Sequence, residues 1–281
     1  MTTFKILQIS DTHLSGRLNH FQTNNELMLE VMKGCTHDLI VHTGDITMDG
    51  IRYAEDFEFC HEFYDGLERK VFFLPGNHDV GDNPQLARSA RENGSAIDEE
   101  RMQRYLQFYQ SDRWSVDRGS WRLLGINSLL IGSGLARERQ QNAWVADQLA
   151  DIGDRHLALF THQPLFVDEP DPIELTYWTV DPQGRESLRF LMEHPNLRLI
   201  ASGHLHQQRS RIHNRINLEW CPSIAFTTRE RLVPEMGGQR KVGYLEHVFA
   251  ENGSVSTTTL RHPRLQDHHL DDVIEVVYPF A

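Results

Sequence analysis

The fold is decided by the sequence ILQISDTH over residues 6–13, in which an apolar run passes directly into polar residues. Apolar runs of this length, rich in Ile, Val and Phe, are typical of buried β-strands. The same pattern, a short apolar run that ends in Gly, Asp, Asn or His, recurs along the chain. The runs lie at residues 4–10, 38–43, 70–74, 121–127, 156–161 and 196–202. Helical patterns separate them, so the sequence predicts an α/β fold.

Five helices are predicted between these strands. The first runs to residue 33, and we expect Asn24 or Asn25 to cap it. The other four are marked by apolar residues within 53–63, 102–109, 144–149 and 184–194. Further along, residues 242–249 and 254–260 alternate in polarity around the turn Glu251-Asn252-Gly253, which predicts a β-hairpin.

Two segments depart from this strand–helix alternation. Residues 80–118 are polar and carry their own helix, and we interpret them as an insertion that borders the functional site. A surface helix with loops is the alternative interpretation. Residues 1–262 are predicted to form one domain, and 263–281 an acidic tail whose alternating end forms a strand or contacts another subunit.

Composition excludes several classes of protein. The 281 residues are 39% hydrophobic, enough for a core, and carry 28 Lys and Arg against 40 Asp and Glu, a net charge of −12. A phosphate polymer or an anionic membrane is therefore an unfavourable partner. The three cysteines lack metal-binding spacing and are expected to be reduced thiols, with a disulfide pair as the alternative. With neither a signal sequence nor a membrane-spanning run predicted, we expect a cytoplasmic protein.

Polar residues that can bind metals or move protons follow five of the predicted strands. They are Asp11 and His13, Asp45, the run from Asn77 to Asp79, His162, and His204 with His206. In open α/β sheets, ligands bind beyond the carboxyl ends of the strands, so we expect these side chains to converge. Residues two apart in an extended segment point the same way, which would aim each Asp-x-His or His-x-His pair at nearby points.

The kinds of side chain predict a metal centre. Carboxylate, amide and imidazole groups without a thiolate suit Mn, Fe or Zn, with Mg ranking below them. Seven ligands are too many for one tetrahedral ion and suit two ions that share a carboxylate. A lone histidine at a strand end is more often structural, but that interpretation does not account for the whole set. Divalent ions would also let an acidic protein bind a small anion.

Together the five blocks resemble the calcineurin-like metallophosphoesterase family, in the family's order, over roughly residues 4–206. The resemblance implies a four-layer α-β-β-α sandwich of two mixed sheets flanked by helices. It implies two divalent or mixed-valence metal ions, with Asp45 bridging both. The implied ligands of the first ion are Asp11, His13 and His206, and those of the second are Asn77, His162 and His204.

The resemblance also implies a mechanism, in which a hydroxide that bridges the metals attacks phosphorus. His78 would be the catalytic residue that protonates the leaving oxygen or stabilises its charge, although a structural histidine is the alternative. Asp79 would orient one of the histidines.

Similarity is greatest to the class III cyclic-nucleotide phosphodiesterases, which implies a small phosphodiester substrate, with a cyclic nucleotide as a candidate. Phosphomonoesters and phosphoproteins are alternatives. The stretch from Gly44 to Gly50 lacks the arginine that the family's protein phosphatases carry. A metal-free scaffold is an alternative of a different class. The expected partner is a small phosphate ester rather than a nucleic-acid polymer or a membrane, and a homodimer or higher oligomer stays open.

Overall fold

Two mixed β-sheets form the centre of the fold. The computed structural model describes residues 2–85, 95–170, 176–229, 232 and 235–278. Within this part of the chain the strands are β1 (Thr3–Ile9), β2 (Leu39–His42), β3 (Val71–Phe73), β4 (Trp114–Arg118), β5 (Trp121–Gly125), β6 (His156–Phe160), β7 (Leu197–Ser202), β8 (Arg209–His213), β9 (Ile216–Trp220), β10 (Tyr244–Ala250) and β11 (Val255–Leu260). The helices are α1 (Gln22–Gly34), α2 (Ala54–Asp65), α3 (Asn77–Val80), α4 (Glu99–Tyr109), α5 (Ala136–Ala150), α6 (Pro182–Glu186), α7 (Arg189–Met192) and α8 (Leu270–Val277).

The strand order brings the polar strand ends together. The first sheet has the order β11-β10-β1-β2-β3, and the second has the order β4-β5-β6-β7-β9-β8. Strands β1, β2 and β3 are mutually parallel, as are β5, β6, β7 and β9. The parallel strands that precede the polar blocks therefore end at shared edges, where ligand sites form in α/β sheets.

Alternation along the strands builds four layers. Ile6 packs between the two sheets, whereas Leu7 packs toward the helices that cover the first sheet. In β6, Ala158 lies in the same inter-sheet core, and Leu159 packs toward the helices that cover the second sheet. Side chains on opposite faces of a strand point to opposite layers. The predicted α-β-β-α sandwich is confirmed.

All six strands predicted from the apolar runs are present, as is the hairpin, formed by β10 and β11. Three strands escaped prediction: β4, β8 and β9. Strand β8 lies at the edge of its sheet and is rich in charged residues, so its sequence lacks the apolar run that marks a buried strand.

The predicted cap of the first helix is wrong. Helix α1 begins at Gln22, and both asparagines lie inside it, buried. The Asn24 amide donates to the carbonyls of Ile224 and Gln266, and the Asn25 amide donates to that of Thr12. These asparagines serve long-range contacts with the loops around the strand ends, which local sequence cannot reveal.

Two further predictions of local structure are wrong. The predicted helix at 184–194 is observed as two short helices, α6 and α7, and α6 begins earlier than predicted because Asp181 caps it and Pro182 lies in its first turn. Gly184, a weak helix former, lies inside α6. The end of the tail is the helix α8 rather than a strand. Its apolar residues Leu270, Val273 and Val277 follow helical spacing and pack in one cluster. The subunit contact and the domain limits stay predictions.

Part of the segment 80–118 contributes to the core. Met102 and Tyr105 of α4 are fully buried against the helical side of the first sheet, and β4 pairs with β5. Residues 86–94 lie outside the described residues. Among the helices in the described part, none is both long and apolar enough to cross a membrane.

Candidate metal centre

Seven side chains from five strand ends meet at one point where the two sheets adjoin. They are Asp11 and His13 after β1, Asp45 after β2, Asn77 after β3, His162 after β6, and His204 and His206 after β7. All seven are buried. The structure therefore brings together every residue that the sequence predicts as a metal ligand.

Five of these residues have left-handed backbone conformations. The φ angles are 54° at Asp11, 42° at His13, 51° at Asp45, 68° at His204 and 52° at His206. Residues other than glycine rarely adopt such angles, and those that do cluster at functional sites. The sequence predicts that residues two apart point the same way because the segment is extended. That reason is wrong, because the chain turns sharply after each strand. The side chains nevertheless converge.

The first group of ligands consists of Asp11, His13, Asp45 and His206. Nε2 of His206 lies 3.3 Å from Nε2 of His13 and 3.2 Å from Oδ1 of Asp11. Nε2 of His13 lies 3.7 Å from Oδ2 of Asp45. Four ligand atoms thus surround one small volume.

The second group shares Asp45 with the first and adds Asn77, His162 and His204. Nε2 of His162 lies 3.4 Å from Oδ1 of Asp45, 3.1 Å from Oδ1 of Asn77 and 3.2 Å from Nδ1 of His204. Asp45 therefore offers Oδ1 to the second group and Oδ2 to the first. A carboxylate so placed can bridge two ions.

The donor set fits two cations. Oδ1 of Asp11 is buried and accepts no hydrogen bond from the described residues. Each group also holds a pair of imidazole nitrogens that face each other at close range. Nitrogen lone pairs and carboxylate oxygens that converge in a buried volume suit divalent transition metals, and the set lacks the thiolates of a structural zinc site.

Outer hydrogen bonds fix the orientation of the four histidines. Nδ1 of His206 lies 2.9 Å from the carbonyl of Phe226, Nδ1 of His162 lies 2.8 Å from that of Thr43, and Nε2 of His204 lies 3.0 Å from that of Tyr177. A carbonyl only accepts, so each of these nitrogens carries the hydrogen and the other nitrogen is free to bind a metal. Nδ1 of His13 instead lies 2.9 Å from the hydroxyl of Tyr278.

Charges in the site favour cations. Burial opposes ionisation of Asp45, but the charges of His162 and His78 outweigh it and hold the pKa of Asp45 well below its usual range. Burial likewise disfavours the charged form of His162, yet the carboxylates of Asp45 and Asp11 raise its pKa to about 9. Burial and the charge on His162 lower the pKa of His204 to about 4. In the metal-free protein, positive charge at His162 offsets carboxylate charge that bound cations would otherwise balance.

His78 lies at the edge of the metal centre, with its ring 4.7 Å from that of His13. Its backbone N–H donates to Oδ1 of Asp45, and its Nδ1 lies 2.9 Å from the carbonyl of Met48. Nδ1 therefore carries a hydrogen, and Nε2 is the nitrogen left for another partner.

The role predicted for Asp79 is wrong. Its carboxylate orients no histidine; it accepts from the backbone N–H groups of Gly76, Ile46 and Thr47 and from the hydroxyl of Thr47. Asp79 is fully buried. It therefore joins the loop that carries Asp45 to the loop that carries Asn77.

Gly203 allows the loop after β7 to approach the loop after β1. A Cβ at this position would lie 1.9 Å from Oγ of Ser10 and 2.6 Å from Oδ2 of Asp11. The backbone N–H of His204 donates to that same carboxylate oxygen. Only glycine permits this contact between the two loops.

A cavity of about 220 Å³ opens over both groups of ligands. Its lining includes His78 and adds residues that the motifs did not predict: Tyr177, Trp178, Leu205, Phe226, Thr228, Leu232, Leu270, Ile274 and Tyr278. Among the described residues, no Lys or Arg and no member of 80–118 lines it. The aromatic residues belong to segments without a motif, so only the fold reveals them. The border predicted between 80–118 and the site stays a prediction.

A larger groove of about 710 Å³ lies elsewhere, between the helix α6–α7 region and the β8–β9 hairpin. Its lining contains none of the seven predicted ligands. The smaller cavity, and not this groove, is therefore the one that lies over the predicted ligands.

A two-sheet sandwich with paired Asp, Asn and His ligands at the strand ends defines the class of metal-dependent phosphoester hydrolases. The family model for calcineurin-like phosphoesterases matches residues 4–208, and this chain belongs to that family. The resemblance predicted from the motifs is confirmed.

The chain is also similar to curated phosphodiesterases. A probable glycerophosphodiester phosphodiesterase of Arcobacter nitrofigilis is 26% identical over 75% of each chain. A 3′,5′-cyclic-nucleotide phosphodiesterase of Nostoc is 24% identical over 92% of each chain. A 3′,5′-cyclic adenosine monophosphate phosphodiesterase of Pseudomonas aeruginosa is 26% identical over 82% of each chain.

Solved structures share the fold at low sequence identity. The purple acid phosphatase PPD1 of yellow lupin has a TM-score of 0.64 at 13% identity; the match covers 95% of this chain and 53% of that one. GAP50, the anchor in the inner membrane complex of Plasmodium, has a TM-score of 0.63 at 12% identity, over 94% of this chain and 86% of that one. At these identities the similarity establishes the fold alone, so the activity must be argued from the site.

Proposed function

We propose that this protein is a dinuclear metal-dependent phosphodiesterase that hydrolyses a small phosphodiester. The observation that carries the proposal is the convergence of seven buried ligands in two groups that share Asp45. Asp11, His13 and His206 would hold the first ion, and Asn77, His162 and His204 the second, with Asp45 between them. When bound, the two ions supply a water nucleophile that is acidic enough to act near neutral pH, and positive charge for the phosphoryl oxygens.

The charge of the cavity supports a diester over a monoester. A phosphodiester carries one negative charge, whereas a phosphomonoester carries up to two near pH 7. The described lining of the cavity adds no Lys or Arg to whatever charge the metals bring. A substrate with less negative charge therefore matches it better.

The size and lining of the cavity also support a small organic ester. Trp178, Phe226, Leu232 and Ile274 give the cavity an apolar and aromatic wall. Such a wall suits the uncharged part of an ester, for example a nucleoside or a short alkyl group. The relatives named as cyclic-nucleotide and glycerophosphodiester phosphodiesterases make those two diesters the first candidates.

His78 is the residue we propose as proton donor to the leaving oxygen. It lines the cavity, and its Nδ1–H is committed to the carbonyl of Met48. Nε2 is then the ring nitrogen that can face an ester oxygen. The contact between the His78 backbone N–H and Asp45 fixes its distance from the shared ligand.

The proposal is tested with purified protein, a panel of esters and a panel of metals. Metal-free protein is loaded in turn with Mn, Fe, Zn or Mg and assayed on cyclic nucleotides, glycerophosphodiesters, phosphomonoesters and a chromogenic diester. We expect hydrolysis of diesters to exceed that of monoesters and to require two ions per chain. Asp45→Ala should abolish turnover and the binding of at least one ion. Asp147→Ala, an exposed carboxylate on α5, is the matched control and should change neither.

Either of two results would refute the proposed activity, and a third would refute the role of Asp45. A wild-type protein that is folded but binds no transition metal would be the metal-free scaffold. A protein that binds two ions and prefers monoesters would be a phosphatase on the same site. Retained turnover in Asp45→Ala would reject the shared ligand.

A further inference from the structure

Two tyrosines outside the sequence motifs contact the predicted ligands directly. The hydroxyl of Tyr278, just after α8, lies 2.9 Å from Nδ1 of His13. The hydroxyl of Tyr177 accepts from Nδ2 of Asn77 at 3.0 Å. His13 belongs to the first ligand group and Asn77 to the second. Each hydroxyl therefore acts on a ligand of a different ion.

We propose that Tyr278 and Tyr177 are positioning residues, each of which orients one ligand of one metal ion. The inference rests on the proposed dinuclear site. Three of the four site histidines are oriented by backbone carbonyls, which side-chain substitutions leave in place. His13 is oriented by a side chain, so the first metal position depends on Tyr278 in a way that a single substitution can test.

The Tyr278 contact is well placed to hold the ring of His13. Nε2 of His13 faces the ligand group, so Nδ1 carries the hydrogen and the Tyr278 hydroxyl accepts it. The Tyr278 ring also packs at 5.0 Å from that of His78.

Helix α8 is anchored to the loops of the site, which holds Tyr278 in place. The Leu270 N–H donates to the carbonyl of Thr227, and the Arg229 N–H donates to Asp271. The guanidinium of Arg229 pairs with Asp272. Val277 is buried in the cluster that contains Phe226. The helix is thus part of the wall of the metal centre.

Tyr177 acts on the second group through its side chain. By accepting from Nδ2, its hydroxyl turns the Asn77 amide so that Oδ1 faces Nε2 of His162. The Tyr177 carbonyl faces His204 and is unaffected by a change of side chain. Loss of the hydroxyl alone therefore tests the orientation of Asn77.

The test measures metal binding in Tyr278→Phe and Tyr177→Phe, which remove only the hydroxyls. Metal-free protein is titrated with Mn²⁺ by calorimetry, and crystals soaked in Mn²⁺ show by anomalous scattering which position is filled. We expect Tyr278→Phe to lower the affinity for the ion at Asp11, His13 and His206 by about 10- to 100-fold. Tyr177→Phe should lower the affinity for the ion at Asn77, His162 and His204 by a similar factor. The visible absorption of Co²⁺-loaded protein should change in both variants.

Tyr105→Phe is the matched control, because the Tyr105 hydroxyl is buried and has no hydrogen-bond partner among the described residues. It should bind both ions as the wild type does. Thermal unfolding of the metal-free variants shows that the fold is retained. Wild-type affinity for both ions in Tyr278→Phe, with or without a raised KM, would overturn the inference for Tyr278, and the same result in Tyr177→Phe would overturn it for Tyr177. If wild-type protein binds no ion, it is the proposed function that fails.

Discussion

Gly76 lies so close to Asp45 that a Cβ at position 76 would stand 2.2 Å from both the backbone nitrogen and Oδ1 of Asp45. These are the loops after β3 and β2, and Asp45 is the ligand shared by both groups. The absence of a side chain at position 76 therefore sets the place of the shared carboxylate.

Gly76→Ala should weaken the binding of both ions, because the new methyl group must push Asp45 out of both ligand groups. We expect a loss of about 100-fold in Mn²⁺ affinity, measured by calorimetry, with a parallel loss of diester turnover. Gly34→Ala is the control, since a Cβ there meets nothing within 4 Å. Unchanged metal binding in Gly76→Ala would show that the loops can separate without moving the ligands.

The ligands were predictable from sequence because each follows a buried parallel strand. Such strands are recognisable as apolar runs. Their carboxyl ends lie at the same edge of the sheet regardless of the conformation of the loops that follow. Asp11 and His206 lie far apart in the chain yet could be assigned to one site by this rule.

What surrounds the ligands could not be predicted. Tyr278 lies in a run of alternating apolar residues that fits a strand as well as a helix, and its contact with His13 depends on how α8 docks. Asparagine is a common N-cap residue, but the amides of Asn24 and Asn25 donate to distant carbonyls instead. Side-chain partners far apart in sequence leave no local pattern.

His78→Ala should slow the hydrolysis of poor leaving groups more than that of good ones, because a general acid matters most when the leaving oxygen is basic. We expect a loss of about 100-fold or more for an unsubstituted phenyl diester and less than about tenfold for the nitrophenyl diester. Steady-state rates for the two esters, at equal metal content, measure the difference. An equal loss for both would indicate that His78 binds phosphate rather than donating a proton.

Asp79→Ala should destabilise the fold and the site together. The substitution leaves three backbone N–H groups, those of Gly76, Ile46 and Thr47, without their acceptor in a buried setting. Each unpaired donor costs about 1–3 kcal/mol, so a loss on the order of 3–9 kcal/mol is expected in urea unfolding. Asp79→Asn keeps one carbonyl oxygen and should recover part of that stability. Equal stability of Asp79→Ala and the wild type would show that water replaces the carboxylate.

The buried carboxylate of Glu219, which lies away from the metal centre, should make the stability of the fold depend on pH. This residue of β9 is buried, and its Oε1 accepts from the hydroxyl of Ser210. Burial raises its pKa from 4.5 to about 7. Below pH 4.5 the Glu219 carboxyl is neutral in both the folded and the unfolded protein. Between pH 4.5 and 7 it ionises in the unfolded chain but stays neutral in the fold, so the folded state loses stability as the pH rises. Above pH 7 the loss is complete, on the order of 3 kcal/mol.

Glu219→Gln removes this ionisation and should therefore be more stable than the wild type at pH 8 but nearly equal to it at pH 5. Urea unfolding of both metal-free proteins between pH 5 and 8 measures the difference, and contributions from the site histidines cancel because both proteins contain them. Glu251→Gln, in the exposed turn between β10 and β11, is the control and should follow the wild type. A stability difference between Glu219→Gln and the wild type that stays constant from pH 5 to 8 would show that Glu219 is ionised in the fold throughout, with its charge solvated despite burial.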